Sequence, residues 1–132
     1  MTIDDLAPAM RLWRDLPGIA LSGADTVPEL SHFLGSNPDT CFVAATGKSV
    51  IGTILGGSDG RRGYIYHLAI ASDFQKQGVG SHLLSLCLHA FRVSGIQKCH
   101  IFVIADNAGG FHFWQIKGWE LRDDIMVMSK NL

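Results

Sequence analysis

The stretch Tyr64-Ile65-Tyr66-His67-Leu68-Ala69-Ile70-Ala71-Ser72-Asp73-Phe74-Gln75-Lys76-Gln77-Gly78-Val79-Gly80-Ser81 decides how this chain is read. Its first seven residues are rich in aromatic and β-branched side chains, a strand pattern. The polar turn Ala71-Ser72-Asp73-Phe74 follows. After Gly78 the apolar residues Val79, Leu83, Leu84, Leu86, Leu88 and Phe91 recur at helical spacing as far as Val93, and Gly95 supplies a stop. The order is strand, glycine loop, helix. A helix N-terminus carries unpaired backbone N–H groups and roughly half a positive charge, and glycine lets an anion come close to the backbone. Such a turn suits a diphosphate; it also suits a loop that merely begins a helix. A dinucleotide fingerprint would need a third glycine where Leu83 stands, and a Walker loop would need Gly-Lys-Ser/Thr after its glycine spacing, which this stretch lacks.

Outward from this stretch, the upstream sequence reads as two helices and a hairpin. Ile3, Leu6, Met10 and Trp13 fall three or four apart within Ile3 to Leu16, with acids early and arginines late, as the helix dipole favours. Thr26 before Val27-Pro28-Glu29 offers an N-cap for a second helix that ends near Gly35. Cys41 to Ala45 and Ser49 to Leu55 then flank the turn Gly47-Lys48. Downstream, Cys99 to Ile104 is a nearly continuous apolar strand and Asn107 to Ile116 a short aromatic helix ended by Gly118. Trp119-Glu120-Leu121 and Ile125 to Met128 are expected to close the sheet around Arg122-Asp123-Asp124. The element order is ααβββαβαββ, an α/β layered domain on a mixed sheet.

With 132 residues, 47% of them hydrophobic and 17% charged, the chain has the size and balance of one globular domain spanning 1–132. A net charge of -1 without any Lys/Arg block argues against nucleic acid as a partner. No apolar run approaches the roughly 20 residues of a membrane span, and the acidic start Met1-Thr2-Ile3-Asp4-Asp5 is unlike a signal peptide, so a cytoplasmic protein without a membrane partner is expected. Cys41, Cys87 and Cys99 are odd in number and scattered, and the six histidines have no ligand spacing, so no metal is expected.

Gln75-x-x-Gly78-x-Gly80 after His67-Leu68-Ala69-Ile70 resembles the Arg/Gln-x-x-Gly-x-Gly/Ala signature of the GNAT superfamily of N-acetyltransferases. Asn107-x-x-Gly110-x-x-Phe113-Trp114-x-x-x-Gly118-Trp119 is similar to the family's Asn-x-x-Ala-x-x-Phe-Tyr-x-x-x-Gly-Phe segment, and the element order agrees along essentially the whole chain. The resemblance implies a mixed, mostly antiparallel sheet of about six to seven strands flanked by about four helices. It implies a sheet splayed between the strand ending at Ile70 and the strand from Cys99, with acetyl-CoA as cosubstrate in the gap.

By that resemblance, Gln75, Lys76, Gln77, Gly78, Val79, Gly80 and Ser81 would serve the CoA phosphates. The edge Leu68, Ala69 and Ile70 would pair with the pantetheine arm, Asn107 and Trp114 would lie along it, and the Leu68 backbone N–H would be the oxyanion donor. A bound primary amine, on a small molecule or a peptide, would attack the thioester directly, so none of the cysteines is needed as a nucleophile. An alkylamine is mostly protonated at neutral pH and must first lose a proton. The strand offers no carboxylate for this, and simple alternation puts Tyr64, Tyr66 and Leu68 on one face and His67 on the other. Tyr64 and Tyr66 are therefore expected to order water in the cleft. Trp114 stands where many members carry a tyrosine that protonates the leaving thiolate, and indole cannot do that. A catalytically weakened acyl-CoA-binding module is thus the second expectation, and an open sheet end suggests a homodimer.

Overall fold

A computed structural model describes residues 1–132. It forms two compact units, residues 1–102 and residues 103–132.

In the first unit a 3₁₀ turn at Ile3–Asp5 leads into α1, Leu6–Arg14. The Asp5 carboxylate accepts the Thr2 N–H at 2.7 Å and so closes the turn. Leu6, Ala9, Leu12 and Trp13 are buried on one side, whereas Ile3 is exposed. Helix α2, Val27–Ser36, starts as expected at Thr26, whose hydroxyl faces the Glu29 N–H. Strands β1 (Phe42–Thr46), β2 (Ser49–Ser58) and β3 (Gly63–Ile70) make consecutive antiparallel pairs. Helix α3, Val79–Val93, returns the chain to β4, Cys99–Ile101, which pairs parallel to β3. The sheet order is β1-β2-β3-β4.

Alternation along β2 decides which helix covers which face. Odd residues Thr53, Leu55 and Gly57 meet α1 and α2: Trp13 bonds Thr53, Leu55 joins the core with Leu6, Leu30 and Leu34, and a Cβ on Gly57 would sit 2.8 Å from Phe33. Gly52 and Gly56 meet α3, which comes close because they carry no side chain. A Cβ on Gly52 would lie 3.1 Å from Leu83, and one on Gly56 would lie 2.7 Å from the Cys87 Sγ and 3.0 Å from Phe91. Gly63 on β3 extends this track beneath Phe91. Leu83, Leu84, Cys87 and Phe91 are all buried by it. Gly56→Ala is accordingly expected to lower stability by roughly 1–3 kcal/mol, the usual cost of overpacking, as read from urea midpoints at an unchanged slope.

The second unit holds α4, Ala108–Ile116. Gly118, at φ +80°, ends it as expected, with the Trp119 N–H returning to the Trp114 carbonyl at 3.0 Å. Here the sheet departs from expectation, with four strands in place of six to seven. The segments 119–121 and 125–128 run without ladder partners, and their apolar side chains Leu121, Ile125, Met126, Val127 and Met128 are exposed. Alternating apolar residues make a strand only where another strand accepts their hydrogen bonds. β4 stops after three residues, short of the expected Ile104. The turn at 123–124 does form, clamped by Arg122 Nε and Nη2 on the Asp124 carboxylate at 2.6 and 2.7 Å. No helix is long and apolar enough to cross a membrane.

Candidate active site

The loop between β3 and α3 is built by its glutamines. Gln75 Nε2 donates to the Ile70 carbonyl at 2.9 Å and Gln77 Nε2 to the Asp73 carbonyl at 2.8 Å, which ties both ends of the turn together. Lys76 and Gly78 then take positive φ, +58° and +88°. A Cβ at Gly78 would meet nothing within 4 Å, so glycine is required there by backbone angle and leaves open space beside the helix. No side chain caps α3, and the first intrahelical bond is His82 N–H to Gly78 O at 2.9 Å. The N–H groups of Val79, Gly80 and Ser81 therefore point from an uncapped helix end. β4 pairs with β3 only from Gly63 to Ile65, so within the first unit the edge from Tyr66 to Ile70 has no strand beside it. An uncapped helix end offers donors to an anion, and a free strand edge offers donors and acceptors to an extended chain.

The second feature is a break in β3. Leu55 pairs with Tyr66 but Thr53 with Ala69, so Ile54 stands opposite two residues, His67 and Leu68. His67 takes φ +46°. This β-bulge shifts the phase of the strand by one residue. Alternation would send His67 to the α3 side; instead it joins Tyr66 on the α1/α2 side, and the sequence expectation is corrected. A buried hydrogen-bond chain holds the bulge: Trp13 Nε1 donates to Thr53 Oγ1 at 2.8 Å, and Thr53 Oγ1 to the His67 carbonyl at 2.9 Å. The carbonyl that the ladder leaves out thereby finds a donor. The His67 ring rests on Trp13, with centroids 4.5 Å apart.

His67 Nε2 lies 2.5 Å from Asp25 Oδ1. The other carboxylate oxygen accepts the Ser22 N–H at 2.6 Å and faces the Ser22 hydroxyl at 3.1 Å. Burial pushes the Asp25 carboxyl up, but the hydrogen bonds from His67 and the Ser22 backbone outweigh it and hold the group below its ordinary value of 3.8. Asp25 is thus an anion at neutral pH, so the His67 Nε2–H donates to it and Nδ1 is the ring nitrogen left for other contacts. Nδ1 makes no hydrogen bond within the protein, and the His67 side chain keeps 13% of its surface exposed. His67 and Tyr66 line a cavity of about 550 Å³ with Asp25, Glu29 and Phe33.

Of the expected tyrosines, Tyr66 lines this cavity and Tyr64 does not: Tyr64 stacks on Phe102 and lies against His100 beside β4, with centroids 6.5 and 5.7 Å away. The Asp25–His67 pair was not expected from the sequence. Its partners are 42 residues apart, and the one local signal is Ser22-x-x-Asp25, a capping-box spacing in the stretch between α1 and α2.

The family model of the Acetyltransferase (GNAT) family matches residues 7–119. The chain belongs to the Acetyltransferase (GNAT) family. An acetyltransferase of Sodalis glossinidius is 26% identical over 129 residues, covering 98% of this chain and 90% of its own. Among solved structures, Ard1 from Thermoplasma volcanium aligns with a TM-score of 0.80 at 21% identity, over 92% of this chain and 80% of its own. AAC(6')-Iy in complex with a bisubstrate analog, CoA-S-monomethyl-acetylneamine, aligns with a TM-score of 0.77 at 15% identity, over all of this chain and 95% of its own. This GNAT-family chain is an acyltransferase that uses acetyl-CoA as cosubstrate.

Two further features of the GNAT chain bear on its chemistry. In the second unit Asn107 caps α4, its carboxamide oxygen accepting the Gly110 N–H at 2.9 Å, and it folds so closely that a Cβ on Gly110 would lie 2.7 Å from Asn107 Nδ2. Trp114 is buried, with Phe113 and Trp119 edge-on at 5.2 and 4.9 Å. Among the thiols, burial pushes Cys87 up to about 12 and raises Cys41 and Cys99 as well. Native protein at pH 8 is expected to leave Cys87 unmodified by iodoacetamide over a period in which urea-unfolded protein reacts fully, as counted by mass spectrometry.

Proposed function

We propose that this enzyme transfers an acetyl group from acetyl-CoA directly to a primary amine held on the α1/α2 side of the sheet, with His67 as proton acceptor. The observation that carries this is the bulge in β3, which turns His67 into a solvent-reached cavity and against a fixed carboxylate. Uncapped N–H groups at Val79, Gly80 and Ser81 would hold the diphosphate, with Gln75, Lys76, Gln77 and Gly78 shaping the loop. The free edge of Leu68, Ala69 and Ile70 would pair with the pantetheine amides, and the Leu68 N–H would face the thioester oxygen. When bound, acetyl-CoA supplies an activated acyl carbon.

His67 Nδ1 takes one proton from the ammonium and releases it to solvent, while Asp25 stabilises the imidazolium that forms. The freed amine lone pair makes the C–N bond to the thioester carbon. The C–S bond breaks with its electron pair on sulfur, and the second amine proton passes through water to the thiolate. The products are the amide and CoA-SH. Tyr66, on the same cavity wall, is placed to order that water.

Gly78→Glu sets a carboxylate and a disfavoured φ at the diphosphate site. Wild-type protein at about 100 times its dissociation constant of acetyl-CoA should gain roughly 2.7 kcal/mol of stability, and Gly78→Glu should gain none. CoA release driven by a panel of primary amines is the direct test. Saturable release that needs the amine supports the transfer reaction; acetyl-CoA binding with no release across the panel overturns it.

A further inference from the structure

We infer that the acceptor is a monoamine whose amine is carried on one compact apolar body, about the size of an aryl ring, rather than a polyamine or an amino sugar. This names the substrate class for the same cavity and rests on the transfer reaction proposed above.

The charge of the lining limits how many ammonium groups the cavity can satisfy. Its carboxylates are Asp25 and Glu29, and neither lysine nor arginine lines it. Asp25 is already engaged at both oxygens, by His67 and by Ser22. The Glu29 carboxylate makes no ion pair. One free anion therefore faces the cavity. Of the neutral polar groups, Asn37 is committed, its Oδ1 accepting the Ser58 N–H at 3.2 Å and its Nδ2 donating to the Phe33 carbonyl at 3.0 Å, and Ser22 is tied to Asp25; His32, Ser36 and the Tyr66 hydroxyl also line the cavity, and none of them carries a negative charge.

The rest of the wall is apolar. Leu30, Leu55, Phe33 and the ring of Tyr66 line it, and the two aromatic rings meet edge-on with centroids 6.0 Å apart at 86°. A flat hydrocarbon body removes this surface from water and offers it ring faces and edges. A polycation in the same space would bring its second and third ammonium groups to a lining that holds one free carboxylate, and an ammonium group taken from water without a counter-charge is disfavoured. The fold shared with AAC(6')-Iy does not carry that protein's substrate across, because the acceptor is chosen by the lining and not by the sheet.

The test compares 2-phenylethylamine with spermidine, neamine and a short peptide with a free N-terminus. Initial rates of CoA release are measured at saturating acetyl-CoA, and binding to the CoA complex is measured by calorimetry. 2-Phenylethylamine is expected to show kcat/KM at least tenfold above each of the others. Glu29→Gln should raise its KM about tenfold with kcat little changed, the mark of lost ground-state binding. Phe33→Ala should raise KM for 2-phenylethylamine and leave the weak rate with spermidine unmoved. Preference for spermidine, neamine or the peptide, or a Glu29→Gln variant equal to wild type, overturns the inference while leaving acetyl transfer intact. If no amine turns over yet 2-phenylethylamine binds the CoA complex and Glu29→Gln weakens it, the transfer reaction fails and the ligand class stands. If 2-phenylethylamine does not bind at all, the inference falls.

Discussion

Replacing His67 with alanine is expected to slow acetyl transfer to an alkylamine by about 10²-fold or more near neutral pH, the usual contribution of a positioned base. The deficit should narrow as pH rises toward the amine's own pKa of about 10.4, because a growing share of the acceptor then arrives already deprotonated. That pH signature separates proton removal from mere support of the cavity wall, which would give a constant deficit. Asp25→Asn should reproduce part of the loss, since the amide no longer stabilises an imidazolium on Nε2. Asp25 itself does not titrate in this range. Its folded pKa lies below the ordinary 3.8, so its contribution to stability is present above that value and is lost only as pH falls through the lower folded one. Wild type and Asp25→Asn should therefore differ in melting temperature by a steady amount above about pH 5 as far as Asp25 ionisation is concerned, with the difference shrinking in stronger acid. A His67→Ala enzyme with wild-type kcat at pH 7 would refute the assignment.

Trp13→Ala should cost the fold about 3–5 kcal/mol, the range for removing a large buried aromatic. Trp13 is 1% exposed, packs with Leu6, Leu30 and Ala69, and donates to Thr53, which is wholly buried. Its loss opens a cavity and withdraws the lower half of the chain that holds the bulge carbonyl. Trp13→Phe keeps most of the volume and removes only the donor, so it isolates the polar term at about 1 kcal/mol. Urea unfolding gives both numbers. Equal losses in the two variants would mean that packing contributes little at this site. Thr53→Val, which withdraws the hydroxyl from the His67 carbonyl, should lower kcat more than its stability change alone would explain, because it frees the ring to turn.

Much of this was legible in the sequence because it is local. The glycine loop, the Thr26 cap, the consecutive antiparallel strands and the α3 face each follow from spacing within about ten residues, and the structure places them within three residues of expectation. The closing strands were misjudged because a strand needs a partner and only half of that information lies in its own residues. The phase of β3 was misjudged for a related reason. Nothing in Tyr66-His67-Leu68 announces an extra residue. The bulge is stabilised by Thr53 and Trp13 from two other elements, and sequence alternation carries no record of either. Alternation accordingly puts His67 on the wrong face and gives Asp25 no role.

The bulge makes β3 a splice of two reading frames. Upstream of it Gly63 and Ile65 turn toward α3; downstream Ile70 does so, against Gly52 and Leu83. Deleting Leu68 would restore an unbroken ladder, relieve the positive φ at His67, and by every local criterion give a better strand. It would also swing the imidazole through the sheet into the hydrocarbon layer of Leu83 and Cys87, away from Asp25. A more regular protein and an inert one would come from the same edit, so a search that rewards stability alone would tend to erase this residue first.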